Sequence, residues 1–113
     1  MSLQIDFAHA SGTTGLTLYS FIERVADGLY WDKSDSTFKA KGSITGSNGK
    51  VSLVEDPDEA GRYMVTQATV SAVQWTDGNY KCIIRNSVAD TLLAIHLKYL
   101  IDQDEKKFRL NEI

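Results

Sequence analysis

Thr91-Leu92-Leu93-Ala94-Ile95-His96-Leu97-Lys98-Tyr99-Leu100-Ile101 is the stretch on which the fold class turns. It is rich in helix formers, and Asp90 stands before it as a plausible helix N-cap. Yet Leu93, Ile95, Leu97, Tyr99 and Ile101 are all apolar, while His96, Lys98 and Asp102 fall on the even positions. A helix would carry Ile95 and Tyr99 off the Leu93–Leu97–Leu100 stripe, so period two fits better than period 3.6. A long strand is predicted, with Lys107 to Ile113 as its antiparallel partner across an Asp102–Lys106 turn and with Phe108 and Leu110 on one face. On this pattern the apolar row faces the core and His96 lies on the surface.

Working outward, Asn79 to Arg85 alternates in the same way and puts Tyr80, Cys82 and Ile84 on one face, after an Asp77-Gly78 turn. Gly15 to Phe38 holds Gly-Leu-Thr-Leu-Tyr-Ser-Phe-Ile-Glu-Arg-Val-Ala-Asp-Gly-Leu-Tyr-Trp-Asp, two apolar runs about Asp27-Gly28. Asp-Gly between such runs signals a hairpin, because glycine takes positive φ without a Cβ clash. Leu3, Ile5 and Phe7 mark a first strand, and Tyr63 and Val65 share a face of a later one. Gly42 to Gly49 is a glycine-rich connection in which Asn48-Gly49 is read as a second tight turn. Pro57, the only proline, breaks the pattern within the acidic segment Glu55 to Glu59. About seven to eight short strands with regular turn signals and little or no helix predict an all-β fold. The expected architecture is an antiparallel β-sandwich, Ig-like or related, with residues 1–113 forming a single domain.

The chain has 113 residues, which area scaling associates with burial of roughly two-thirds of the extended-chain surface. That suffices for a core without metal or disulfide staples. A net charge of −3 and scattered basic residues argue against a nucleic-acid footprint, which needs clustered Lys and Arg. No window approaches the roughly 18 apolar residues of a membrane helix. No signal peptide is evident at the N-terminus, so folding in a cytoplasm is expected. Cys82 is the single cysteine, which excludes an intrachain disulfide and a CxxC pair and makes a buried structural thiol the simplest role.

Residues that carry chemistry are sparse. His9 and His96 are the two histidines, and neither belongs to a His-x-His or His-x₃-His pair. A nucleophile–base arrangement would need Cys82 or a serine beside one of them in space. The acids from Glu55 to Glu59 lack the calcium-loop pattern, and Gly42–Gly49 lacks the phosphate-loop pattern and does not open onto a helix. No catalytic residue, metal or cofactor is predicted. The aromatic residues are the remaining lead. Tyr30 and Trp31 are adjacent and on a strand must point to opposite faces, so one of them stands outside the core or at an interface.

The segment Thr14-Gly15-Leu16-Thr17-Leu18-Tyr19 followed by Asp27-Gly28-Leu29-Tyr30-Trp31-Asp32 resembles a recurring pattern in β-domains of tailed-bacteriophage virion proteins, those of tails, tail fibres and baseplates. Gly61-Arg62-Tyr63-Met64-Val65 and Gly78-Asn79-Tyr80-Lys81-Cys82-Ile83-Ile84-Arg85 look like the later strands of that pattern, which spans about residues 15–85. The family's last strand pair is shorter than the Thr91–Ile101 run. The resemblance implies a non-enzymatic building block of a phage or prophage particle, made in a bacterial cytoplasm and located in the virion. It implies other virion proteins or copies of the same chain as partners, and it carries over no functional residues, since the shared positions are turn glycines and core aromatics.

The Leu92–Ile101 run is apolar on nearly both faces, whereas a sandwich covers one face of each sheet. A homo-oligomer packed through it is therefore expected. The candidate interface residues are Tyr30, Trp31, Trp75, Leu92, His96 and Leu100. The alternative is a small carbohydrate-binding or adhesin-like module, which needs Trp31 or Trp75 exposed as a platform on which a glycan stacks.

Overall fold

A computed structural model describes residues 1–9 and 11–106. Ten strands follow in order: β1 (Ser2–Ala8), β2 (Leu18–Arg24), β3 (Leu29–Asp32), β4 (Thr37–Lys39), β5 (Val51–Ser52), β6 (Val54–Glu55), β7 (Arg62–Ala68), β8 (Gly78–Asn86), β9 (Thr91–Ile101) and β10 (Asp104–Lys106). Among the described residues the helical content is confined to two three-residue 3₁₀ turns, Lys41–Ser43 and Val88–Asp90. The antiparallel all-β class and the strand reading of Thr91–Ile101 therefore hold. The strand count exceeds seven to eight because β5 and β6 are two-residue pieces that no alternation pattern announces.

The strands form two sheets packed as a sandwich that verges on a half-barrel. The small sheet has the order β1-β7-β6, and the large one β10-β9-β8-β2-β3-β4, with β5 paired to the free part of the β2 edge. Period-two alternation puts Leu3 and Ile5 of β1 and Tyr63 of β7 inside, opposite Leu18 and Ile22 of β2 and Tyr80, Cys82 and Ile84 of β8. At one end Trp31, Phe38, Trp75 and Tyr80 form an aromatic cluster, with the Trp31 and Trp75 ring centroids 4.6 Å apart. The sheets are stitched where β1 meets β10. There the Gln4 amide donates to Glu105 Oε1 at 2.8 Å, the Met1 ammonium lies 2.9 Å from Asp104, and the Thr69 hydroxyl donates to the Gln103 carbonyl.

The turns correct several sequence expectations. Gly28 has φ +71° as the hairpin requires, but the β2–β3 turn spans residues 25–28. Asp27 holds it, taking Arg24 Nε and Nη2 on its carboxylate and the Leu29 amide on Oδ1. Asn48-Gly49 makes no hairpin, because β5 pairs with β2 instead of with the chain before the turn. The β9–β10 connection is the two residues Asp102 and Gln103, both at positive φ as a twisted-hairpin turn demands, so the return strand starts at Asp104 rather than after Lys106. Phe108 and Leu110 lie outside the described residues.

A candidate interaction face

The register of β8 against β9 decides which side of the long strand meets the core. Tyr80, Cys82 and Ile84 are fully buried, and their cross-strand partners are Lys98, His96 and Ala94. Their faces are shared, so Ala94, His96, Lys98 and Leu100 point inward while Ile95, Leu97 and Tyr99 point away from the core. A one-residue bulge at Leu93, between the Ile84–Ala94 and Arg85–Leu92 pairs, adds Leu92 to the outward row. The expectation that the odd row is buried and His96 is on the surface is thus reversed. Period two groups residues into faces, but the neighbouring strand assigns each face to core or solvent.

The inward polar residues are accommodated near the β1 edge. Lys98 Nζ stands 3.4 Å from Glu105 Oε2, with both side chains largely buried. Lys98 and His96 also attract the carboxylate of Asp6, whose principal partner is the Arg62 guanidinium at 2.7 Å. The Arg62 hydrogen bond is the main reason that Asp6 stays ionised to lower pH than an ordinary aspartate.

The outward row exposes apolar surface: Leu92 48%, Ile95 54%, Leu97 64% and Tyr99 44%. Ile83 of β8 and Phe21 of β2 continue it across the sheet as half-buried neighbours, Phe21 opposite Ile83 and Ile83 opposite Ile95. Beyond Phe21 the connection through Ile44 and Gly49 closes over the sheet. A Cβ on Gly49 would lie 3.3 Å from Ile44 Cγ2 and 3.5 Å from the Phe21 ring. Lys41 Nζ lies 5.4 Å from the Tyr30 ring centroid and Lys50 Nζ 4.6 Å from that of Tyr19, within cation–π range. Tyr19 is buried beneath this cover. One half of the outer face is therefore roofed by the chain's own connection, and among the described residues the β8–β9 half is open.

The six candidate interface residues divide accordingly. Leu92 belongs to the open row, and Tyr30 stands half-buried on the same face under Lys41. His96 is half-buried on the inward face. Trp31, Trp75 and Leu100 are core residues, with exposures of 5%, 1% and 0%. The two tryptophans pack against each other in the core, so neither is the exposed tryptophan that glycan stacking needs. Sequence inspection missed Ile95, Leu97 and Tyr99 because their regular alternation reads as a buried face.

The structure also brings Cys82 and His96 together as a directly opposed cross-strand pair. The thiol is fully buried, and desolvation pushes its pKa up to about 12, so at neutral pH it holds its proton and presents no thiolate. At His9, the Nδ1 atom meets Ser11 Oγ at 2.9 Å and accepts the Ser11 amide at 3.3 Å, a local turn rather than an oriented base. Among the described residues no group of three or more His, Cys, Asp and Glu side chains is arranged to hold a metal ion, and no helix is long and apolar enough to cross a membrane. No family model, no curated protein and no solved structure matches this chain.

Proposed function

We propose that this protein is a non-enzymatic structural module that acts by packing against copies of itself through the open half of the large sheet's outer face. The observation behind this is the row of Leu92, Ile95, Leu97 and Tyr99, uncovered among the described residues, on an eleven-residue strand. Four large apolar side chains, each exposing about half of itself, make a contiguous patch on the order of a few hundred Å², the range associated with interaction sites. A flat pleated surface presents such side chains in rows that a second surface can interdigitate, as two sheets do in a sandwich. A role within a phage or prophage particle rests on the pattern of residues 15–85 alone.

The test is the molar mass in solution, by light scattering coupled to size exclusion at high protein concentration. A discrete oligomer that Leu97→Glu converts to monomer is expected. Leu97 is 64% exposed and stands opposite Lys81, so the new carboxylate costs the fold little. A wild-type chain that remains monomeric at high concentration overturns the proposal.

A further inference from the structure

Accepting self-packing through the large sheet, the charge distribution says which surface of the second copy is received. The chain carries a net charge of −3, yet its outer large-sheet face is basic. Lys81 and Arg85 project there from β8, and Lys41 and Lys50 lie over the aromatic rings of the same face, against the carboxylates of Glu23 and of Asp104, which stands opposite Ile101 and 2.9 Å from the Met1 ammonium. Lys39 beside them is shared between two carboxylates, Asp35 at 2.5 Å and Asp32 at 3.1 Å. Two such faces pressed together would oppose cation to cation around the apolar row, which disfavours a symmetric face-to-face dimer.

The outer face of the small sheet has the opposite character. Alternation along β1 and β7 turns Asp6, Arg62 and Met64 outward, and Val54 of β6, 66% exposed, stands beside Met64. Arg62 is surrounded by acids: Asp6 at 2.7 Å, Glu59 at 3.3 Å and Asp56 at 3.9 Å, with exposed Asp58 in the same turn. One guanidinium thus meets three carboxylates, with Asp58 adding a fourth in the same turn, around a small apolar spot made by Val54 and Met64. The basic apolar face and the acidic face lie on opposite sides of a slab with extents of 42 × 37 × 20 Å. Either broad side is larger than the roughly 800 Å² per partner that a standard interface buries.

We infer that copies associate head to tail, the basic apolar face of the large sheet on one copy receiving the acidic small-sheet face of the next. Such a contact is heterologous. The joined pair retains one unused face of each kind, so association continues until a ring closes or extends as a filament. The apolar row meets Val54 and Met64, and the lysines and Arg85 meet the acids around Arg62.

Two blocked variants test this. Leu97→Glu disables the large-sheet face. The double variant Val54→Lys/Asp58→Lys disables the small-sheet face at two exposed positions, and circular dichroism with urea unfolding verifies that both fold. Each variant alone should be monomeric, and an equimolar mixture should give a one-to-one dimer and nothing larger, because one productive pair of faces remains. Wild-type association should also weaken as salt is raised. If the double variant associates like wild type while Leu97→Glu is monomeric, the contact is symmetric through the large sheet; the inference fails and the packing proposal stands. If wild type itself is monomeric, the packing proposal fails. If neither variant alters association, both faces are wrongly assigned.

Discussion

Gly61 and Gly28 share a backbone conformation and differ in surroundings, which makes alanine at each a quantitative test of the packing. Gly61 has φ +83° and Gly28 φ +71°, so alanine at either position takes on the left-handed cost of about 1–2 kcal/mol. Restriction of the unfolded chain offsets about 0.4–1 kcal/mol of that at both sites. At Gly28 the added Cβ meets only Glu23 Oε2, at 3.8 Å, an ordinary contact. At Gly61 it meets Gly12 Cα at 2.6 Å and the Gly12 carbonyl carbon at 2.8 Å, which is backbone and cannot rotate aside. Gly61 is buried and tied on both sides: its amide donates to Glu55 Oε2 at 3.1 Å and its carbonyl accepts the His9 amide at 2.8 Å. Forcing a methyl group into a packed site adds about 1–3 kcal/mol. Gly28→Ala should therefore cost about 0.5–1 kcal/mol and Gly61→Ala about 2–4 kcal/mol. Urea unfolding followed by tryptophan fluorescence reads this directly, because Trp31 and Trp75 are both buried and exposed only on unfolding. Equal losses at the two glycines, within about 0.5 kcal/mol, would refute the tight approach of the segment around Gly12 to Gly61.

Two further outcomes are expected. Tyr19 is buried on the outer face with its hydroxyl unpartnered among the described residues, so Tyr19→Phe should raise stability by about 1 kcal/mol, and a loss measured by urea unfolding would show that the hydroxyl is paired. The folded-state pKa of Asp6 is lowered, chiefly by the Arg62 hydrogen bond; its contribution is therefore complete above the unfolded value near 3.9 and disappears as pH falls through the lower folded value. Asp6→Asn should be less stable than wild type near neutral pH and converge with it in acid, and a gap that stays constant down to about pH 2 would remove the linkage.

Much of the fold was legible along the chain. The alternation at Leu3–Phe7, Tyr80–Ile84 and Leu93–Ile101 marks strands because side chains on extended backbone alternate between faces, and Gly28 marks a turn because its positive φ excludes most other residues. That the Leu92–Ile101 run is apolar on nearly both faces was legible, but which of its residues stand outside was not. Ile95, Leu97 and Tyr99 read as core by alternation, and they are outside because Tyr80, Cys82 and Ile84 on the adjacent strand claim the inner positions and fix the register. The same tertiary contacts take Trp31 and Trp75 from candidate ligand platform to mutual packing, and bring Asp6 from a distant part of the chain to the local cluster of Asp56, Glu59 and Arg62. Away from the bulge at Leu93, local pattern determines which residues share a face, since that depends on backbone periodicity. Which face meets the core depends on pairing between strands far apart in sequence, and only the assembled sheets decide it.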